Sequence, residues 1–157
     1  MHCQLDQVRE ILDVATATGN AILKETPEAE LFDFSRMSCS VIYGLLLLKD
    51  YDVFIQEGLV DYQGREMDHF WVEVYFEGEA FILDTAIARF LSSDGRVEDV
   101  IFLPGDEASG KYGYRQGKDY EWSPEDCDER VWQSVIKTLG IEKPLSEILA
   151  DIREYSG

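Results

Sequence analysis

The segment from residue 69 to residue 84 constrains the fold of this chain more than any other part of its sequence. It reads His-Phe-Trp-Val-Glu-Val-Tyr-Phe, then Glu-Gly, then Glu-Ala-Phe-Ile-Leu-Asp. Aromatic and β-branched residues dominate both halves and predict two strands, and Glu77-Gly78 predicts a tight turn between them. A two-residue turn pairs Phe76 with Glu79 and thereby sets the register of the whole hairpin.

This register decides which side chains share a face of the hairpin. Because side chains alternate between the faces of a strand, we expect His69, Trp71 and Asp84 on one face. Asp84 then lies opposite Trp71 and diagonal to His69, within plausible reach of the imidazole. A three-residue loop would reverse this parity, so the prediction depends on the two-residue turn. The remaining members of the face are Glu73, Tyr75, Ala80 and Ile82.

Two apolar patterns before the hairpin predict helices. Residues 5–24 carry apolar side chains at spacings of three and four, which is typical of an amphipathic helix. Residues 38–48 are apolar on nearly every face, which indicates a buried helix. We expect Ser35 or Ser38 to cap this second helix, with Cys39 in its first turn or just before it.

The rest of the chain predicts further strands and helices. Residues 53–60 and 97–103 suit strands, whereas residues 104–116 read as an extended, glycine-rich loop. Ser123-Pro124 has the residues of a helix start, with a capping serine and a proline at the first position, and this helix is expected to run to Leu139-Gly140. Pro144 opens a last amphipathic helix.

The charge of the chain disfavours two classes of partner. The 157 residues include 32 Asp and Glu against 14 Lys and Arg, which gives a net charge of −18. Binding to nucleic-acid phosphates or to anionic membranes needs a basic surface, so neither is expected. We interpret the acidic surface as a solubilising feature, with a basic partner or substrate as the alternative.

The cysteines and histidines limit the chemistry further. Cys3, Cys39 and Cys127 lie far apart in no CxxC pair, and His2 and His69 are the only histidines. We therefore expect no disulfide framework, no metal site and no cofactor. The chain begins with no basic stretch followed by an apolar core, and the apolar run at 41–48 is too short to span a bilayer. A reducing, cytoplasmic setting is predicted.

Cys39, His69 and Asp84 are three residue types that work together in covalent catalysis. A thiol attacks as its thiolate, and the positive end of a helix beside an imidazolium lowers its pKa. A carboxylate bonded to the other ring nitrogen holds the histidine in one tautomer. The hairpin brings His69 towards Asp84, but nothing in the sequence itself places Cys39 against them.

Three segments resemble the core of the transglutaminase-like superfamily. They are Cys39 with its apolar helix, His69-Phe70-Trp71-Val72-Glu73-Val74, and Phe81-Ile82-Leu83-Asp84-Thr85 followed by Phe90. The resemblance covers roughly residues 35–90. It implies a papain-like α+β fold, in which a buried helix carrying the cysteine packs on a small antiparallel sheet. We expect one such domain over residues 1–157, with additional N-terminal helices and a C-terminal helical part at about 124–156.

The resemblance also implies an activity. Cys39 would be the nucleophile, His69 the general base and acid, and Asp84 the residue that orients the histidine. The expected function is thiol-dependent acyl transfer of the peptidase, deamidase or transglutaminase type, acting on an amide or thioester of a protein, peptide or small amine or acyl substrate. The predicted substrate contacts are Trp71, Tyr112 and Tyr114.

One departure from the family pattern supports an alternative. Papain-like proteases place a glutamine shortly before the cysteine to help build the oxyanion hole, and residues 31–37 contain none. The backbone N–H of Cys39 would supply one donor, and loss of a single donor costs on the order of 10²- to 10³-fold in rate. The alternative is a catalytically degenerate transglutaminase-like scaffold that serves as an acidic protein-binding module.

Overall fold

The computed structural model describes residues 2–62, 64–87, 89 and 100–156, without the side chains of residues 2–4 and 62. These residues form five α-helices and a five-stranded antiparallel sheet, so the predicted α+β class is confirmed. Phe90, the first residues of the strand predicted at 97–103 and the side chains of His2 and Cys3 lie outside the described part. The helices are α1 (His2–Glu25), α2 (Leu31–Leu48), α3 (Gly105–Tyr112), α4 (Glu129–Thr138) and α5 (Leu145–Ser156). The strands are β1 (Asp52–Tyr62), β2 (Arg65–Phe76), β3 (Glu79–Asp84), β4 (Ile101–Pro104) and β5 (Arg115–Tyr120).

The hairpin between β2 and β3 has the predicted register. Its ladder runs from Phe76 opposite Glu79 to Val72 opposite Leu83. The two turn residues have φ of 55° and 80°, and a type I′ turn requires positive φ at both. The strand order is β4-β3-β2-β1-β5, and β1 pairs with β2 along its whole length, from Asp52–Tyr75 to Tyr62–Arg65. His69 therefore lies inside β2, and not at the start of a strand as predicted.

Helix α2 begins earlier than predicted. It starts at Leu31 after Glu30, whose side chain makes no capping bond, so Cys39 lies in the middle of the helix. The apolar side chains of the first turns extend the buried face, and Leu31 and Phe34 are 4% and 1% exposed. Burial thus outweighed the local capping signal. Ser35 and Ser38 cap nothing, and their hydroxyls donate to the carbonyls of Phe32 and Ser35 at 2.7 and 3.0 Å.

This helix is also longer than the apolar run at 41–48 from which the sequence predicts no membrane span. By length and composition its 18 residues could cross a membrane, but 67% of it is buried inside the protein, as in a core helix. It packs on β1 and β2 on one side and against α1 and α5 on others. The N–H of Phe70 donates to Ser35 Oγ at 3.3 Å, which joins α2 to the strand that carries His69.

Two predictions in the C-terminal half are wrong. The loop expected at 104–116 contains α3, which ends at Gly113 in the left-handed conformation, and the start of β5, which pairs with β1. The helix expected from Ser123 starts at Glu129 instead, because Asp128 accepts the N–H of Arg130 at 2.8 Å and provides a competing cap. Ser123 caps only a short 3₁₀ turn at Pro124–Asp126.

Candidate active site

A buried hydrogen-bonded pair of side chains joins the two strands of the hairpin. Nε2 of His69 lies 2.6 Å from Oδ2 of Asp84, and the two side chains are 0% and 1% exposed. The other carboxylate oxygen, Oδ1, accepts the N–H groups of Ala86 and Ile87 at 2.8 and 3.2 Å. Oδ2 also accepts the hydroxyl of Tyr114 at 2.6 Å. The structure therefore brings His69 and Asp84 together, as the hairpin register predicts.

These contacts keep the carboxyl group of Asp84 ionised. Burial alone would raise its pKa, but the charge of His69 and hydrogen bonds from His69, Tyr114 and Ile87 lower the pKa below its ordinary value of 3.8. A carboxylate can only accept hydrogen bonds, so Nε2 of His69 carries the hydrogen of this contact. In the neutral ring, Nδ1 is then left with its lone pair.

Nδ1 of His69 is a buried polar atom without a hydrogen-bond partner among the described residues. Leaving such a group unpaired costs about 1–3 kcal/mol, so native proteins rarely keep one without a reason. The nitrogen that Asp84 does not hold is thus free to exchange a proton with another group.

Cys39 lies near this pair but is not activated by it. The thiol is 3% exposed, and its pKa is raised well above its ordinary value of 9.0 by burial first and then by the negative charge of Asp84, with a smaller opposing effect from Ser38. The charge of Asp84 acts on the thiol because the two groups are close within the interior. No hydrogen bond joins the sulfur to the free nitrogen of His69 in the part of the chain that the structure describes.

The position of Cys39 within α2 explains this state and corrects two expectations. It lies about two turns from the first residue of the helix, so the positive end of the dipole does not stabilise a thiolate. Its backbone N–H is in the helix interior, where it bonds to the carbonyl four residues earlier, and cannot serve as the predicted oxyanion donor. The thiol is therefore neutral at ordinary pH.

The aromatic residues predicted to contact substrate lie inside the protein. Trp71, Tyr112 and Tyr114 are 4%, 7% and 4% exposed. The Trp71 ring stacks on His69 with centroids 6.4 Å apart and meets the Tyr114 ring edge-on at 5.1 Å. Trp71 and Tyr114 thus enclose the His69–Asp84 pair, and their role as substrate contacts stays a prediction.

Trp71 occupies this place because two glycines leave room for its ring. A Cβ at Gly58 of β1 would lie 2.6 Å from the ring, and a Cβ at Gly117 of β5 would lie 2.8 Å from it. Any larger residue would therefore displace the indole that covers His69. The close approach of these glycines to Trp71 makes the geometry of the site depend on β1 and β5 as well as on β2.

Sequence reasoning missed the contact between Tyr114 and Asp84. The sequence predicts Tyr114 as a substrate contact in an extended loop, whereas the folding of that segment into α3 and β5 carries its hydroxyl to Asp84. No sequence spacing indicates a contact between residues 30 positions apart on separate elements. The backbone N–H donors to Asp84 were missed as well.

Metal-ligating residue types and surface cavities in the described part of the chain also bear on the chemistry of the site. The described residues contain no group of three or more His, Cys, Asp or Glu side chains arranged to hold an ion, and Cys39 and Cys127 are both free thiols. A surface cavity of about 460 Å³ between the end of α1 and α4 is lined by other residues, among them Lys24 and Arg130. No family model, curated protein or solved structure matches this chain, so the chemistry has to be inferred from the geometry.

Proposed function

We propose that this protein is a thiol-dependent acyl-transfer enzyme on a papain-like or transglutaminase-like scaffold. Cys39 is the nucleophile, His69 the proton carrier and Asp84 the residue that orients the histidine. The observation that supports this best is that the two ring nitrogens of His69 have different surroundings. Asp84 holds Nε2 at 2.6 Å, and the buried Nδ1 has no partner among the described residues.

The proposed reaction begins at the neutral thiol. As the Cys39 sulfur attacks the acyl carbon of an amide or thioester, its proton moves to Nδ1 of His69. The tetrahedral intermediate collapses, the leaving amine or thiol takes that proton from Nδ1, and a thioester to Cys39 remains. Water or an amine then attacks the thioester while giving a proton to Nδ1, and the sulfur recovers this proton as it leaves.

The raised pKa of Cys39 favours proton transfer that is coupled to attack. Burial and the carboxylate of Asp84 disfavour a thiolate, so an isolated thiolate–imidazolium pair is not the starting state. The thiol is then little reactive until a substrate enters and its acyl group accepts the developing charge. The net charge of −18 favours a cationic or amine-bearing substrate.

A second candidate function is a catalytically degenerate scaffold that binds a basic partner through its acidic surface. Two observations favour it, namely the 3% exposure of Cys39 and its place in the middle of α2. Partner capture by such a module falls with added salt and survives Cys39→Ala. In an enzyme, Cys39→Ala holds its substrate chemically unchanged, whereas the wild-type protein releases it in altered form.

Alkylation by iodoacetamide, resolved by peptide mass spectrometry, separates the two candidates. Cys127 is the matched internal control, because it is also buried and its pKa is raised by burial and by the negative charges of Asp128 and Asp126. In the enzyme, Nδ1 of His69 accepts the thiol proton as the sulfur attacks the reagent, so His69→Ala lowers the alkylation rate of Cys39 on the order of tenfold near neutral pH. The rate of Cys127 stays at its wild-type value in the same variant. A Cys39 rate that ignores His69→Ala would reject the enzyme.

A further inference from the structure

We infer that Tyr114 is a positioning residue of the proposed site, which acts through Asp84. Its hydroxyl fixes the carboxylate oxygen that faces His69 and draws part of the negative charge away from the imidazole. The inference rests on the proposed function of Cys39, His69 and Asp84, since a positioning role needs a reaction to serve.

The geometry of the contact carries this inference. The Tyr114 hydroxyl lies 2.6 Å from Oδ2 of Asp84, which is the same oxygen that His69 contacts at 2.6 Å. The side chain approaches from a different part of the sheet than either partner, because Gly113 ends α3 with φ of 75° and β5 begins directly after Tyr114. Two elements therefore hold the backbone on both sides of this residue.

Burial makes the contact a strong one. Tyr114 is 4% exposed, and burial followed by the charge of Asp84 raises the pKa of its hydroxyl well above 10.0, so the hydroxyl stays protonated and donates. Hydrogen bonds from a neutral donor to a buried charge are roughly twice as strong as those between neutral groups. The titratable groups around Tyr114 are Cys39 from α2, His69 from β2, Asp84 from β3 and Tyr112 from α3.

Two donors that share one oxygen compete for its charge. With the hydroxyl present, Oδ2 divides its negative charge between Tyr114 and the Nε2–H of His69. Without the hydroxyl, that charge falls on the imidazole alone, and the Nε2–H bond strengthens. The pKa of Asp84 also rises, because a hydrogen bond that lowers it has been lost.

The test compares Tyr114→Phe with Tyr112→Phe, a second buried tyrosine whose ring centroid lies 6.3 Å away. Both are made in a His2→Gln background, so that His69 is the only remaining histidine. NMR follows the carboxyl carbon of Asp84 through an acid titration and records the chemical shift of the Nε2 proton. In Tyr114→Phe we expect the Asp84 midpoint to rise by about one pH unit and the Nε2 proton to move downfield. Tyr112→Phe leaves both readouts at their wild-type values.

A second variant keeps the test decisive where Tyr114→Phe does not fold. Site-specific 3-fluorotyrosine at position 114 retains the ring and the hydroxyl but is a stronger donor. It shifts both readouts in the opposite direction, with a lower Asp84 midpoint and an upfield Nε2 proton. A purely structural role predicts no such reversal of sign.

The outcomes separate this inference from the proposed function. Where Cys39 alkylation depends on His69 but Tyr114→Phe resembles Tyr112→Phe in both NMR readouts, the positioning role is wrong and the enzyme stands. Where alkylation ignores His69, the proposed function fails and the role of Tyr114 fails with it, whatever the NMR shifts. Support for the inference requires both the His69 dependence and the paired shifts.

Discussion

Replacement of Asp84 by asparagine is the perturbation for which the structure makes the largest prediction. The carboxylate accepts hydrogen bonds from His69, Tyr114, Ala86 and Ile87. An amide offers a single acceptor oxygen, so its NH₂ group must face donors on one side or the other. Hydrogen bonds to a buried charge contribute about 1.5–3 kcal/mol each, and breaking a buried charged pair costs about 3–5 kcal/mol. We therefore expect Asp84→Asn to lower the free energy of unfolding by about 3–5 kcal/mol.

Urea unfolding at neutral pH measures this loss, with Asp126→Asn as the matched control. Asp126 also accepts a tyrosine hydroxyl, that of Tyr120 at 2.9 Å, but the pair is only partly buried. Its loss costs about 1 kcal/mol or less. For an m-value of about 2 kcal/mol per molar urea, the midpoint of Asp84→Asn falls by about 2 M. Equal midpoints for the two variants would refute the view that Asp84 holds the interior of the site together.

The structure also predicts how the free energy of unfolding changes at acid pH. The pKa of Asp84 is lower in the folded protein than its ordinary value of 3.8, so its stabilisation is complete above that value and is lost as pH falls below it. Asp84→Asn therefore flattens the decline in stability at acid pH. A loss with the same slope in both proteins would show that other carboxyl groups dominate acid unfolding.

Two further predictions concern alkaline pH and packing around Trp71. The pKa of Cys39 is raised above 9.0 in the folded protein, so the stability that its neutral thiol contributes is complete below that pH and is lost as pH rises above it. In Cys39→Ala, the free energy of unfolding measured in urea therefore declines less steeply with pH, by up to about 1.4 kcal/mol per pH unit. An unchanged slope would contradict the burial of a neutral thiol. Gly117→Ala places a Cβ 2.8 Å from the Trp71 ring and lowers the free energy of unfolding by about 1–3 kcal/mol, as thermal melting would show. Gly110→Ala, with no atom within 4 Å of its Cβ in helix α3, is the control and is neutral or stabilising.

The hairpin could be predicted from sequence because its signals are local. Strand composition, alternation and the two-residue turn all concern neighbouring residues, and together they set the register that brings His69 to Asp84. The predicted start of α2 was wrong because it depends on burial by distant parts of the fold. Leu31 and Phe34 belong to the helix because the rest of the fold buries them, and a serine that resembles a cap cannot outweigh that burial.

The contribution of the C-terminal half was beyond sequence reasoning. Strand β5 reads Arg-Gln-Gly-Lys-Asp-Tyr and lies at the edge of the sheet, where polar residues replace the usual β pattern. The position of the Tyr114 hydroxyl depends on that strand and on α3, so the sequence could not predict it. The distance from Cys39 to the pair is equally non-local, because it depends on how α2 rests on β2.

The turn at Glu77-Gly78 has a consequence for the order in which the molecule is built. Glu77 holds φ of 55°, a conformation that costs a non-glycine residue on the order of 1 kcal/mol. The loop that joins His69 to Asp84 is nevertheless short, and hairpins close within microseconds, long before distant segments meet. We therefore expect the contact between His69 and Asp84 to form by the folding transition state. We expect Glu77→Asn to speed refolding and to leave the unfolding rate nearly unchanged.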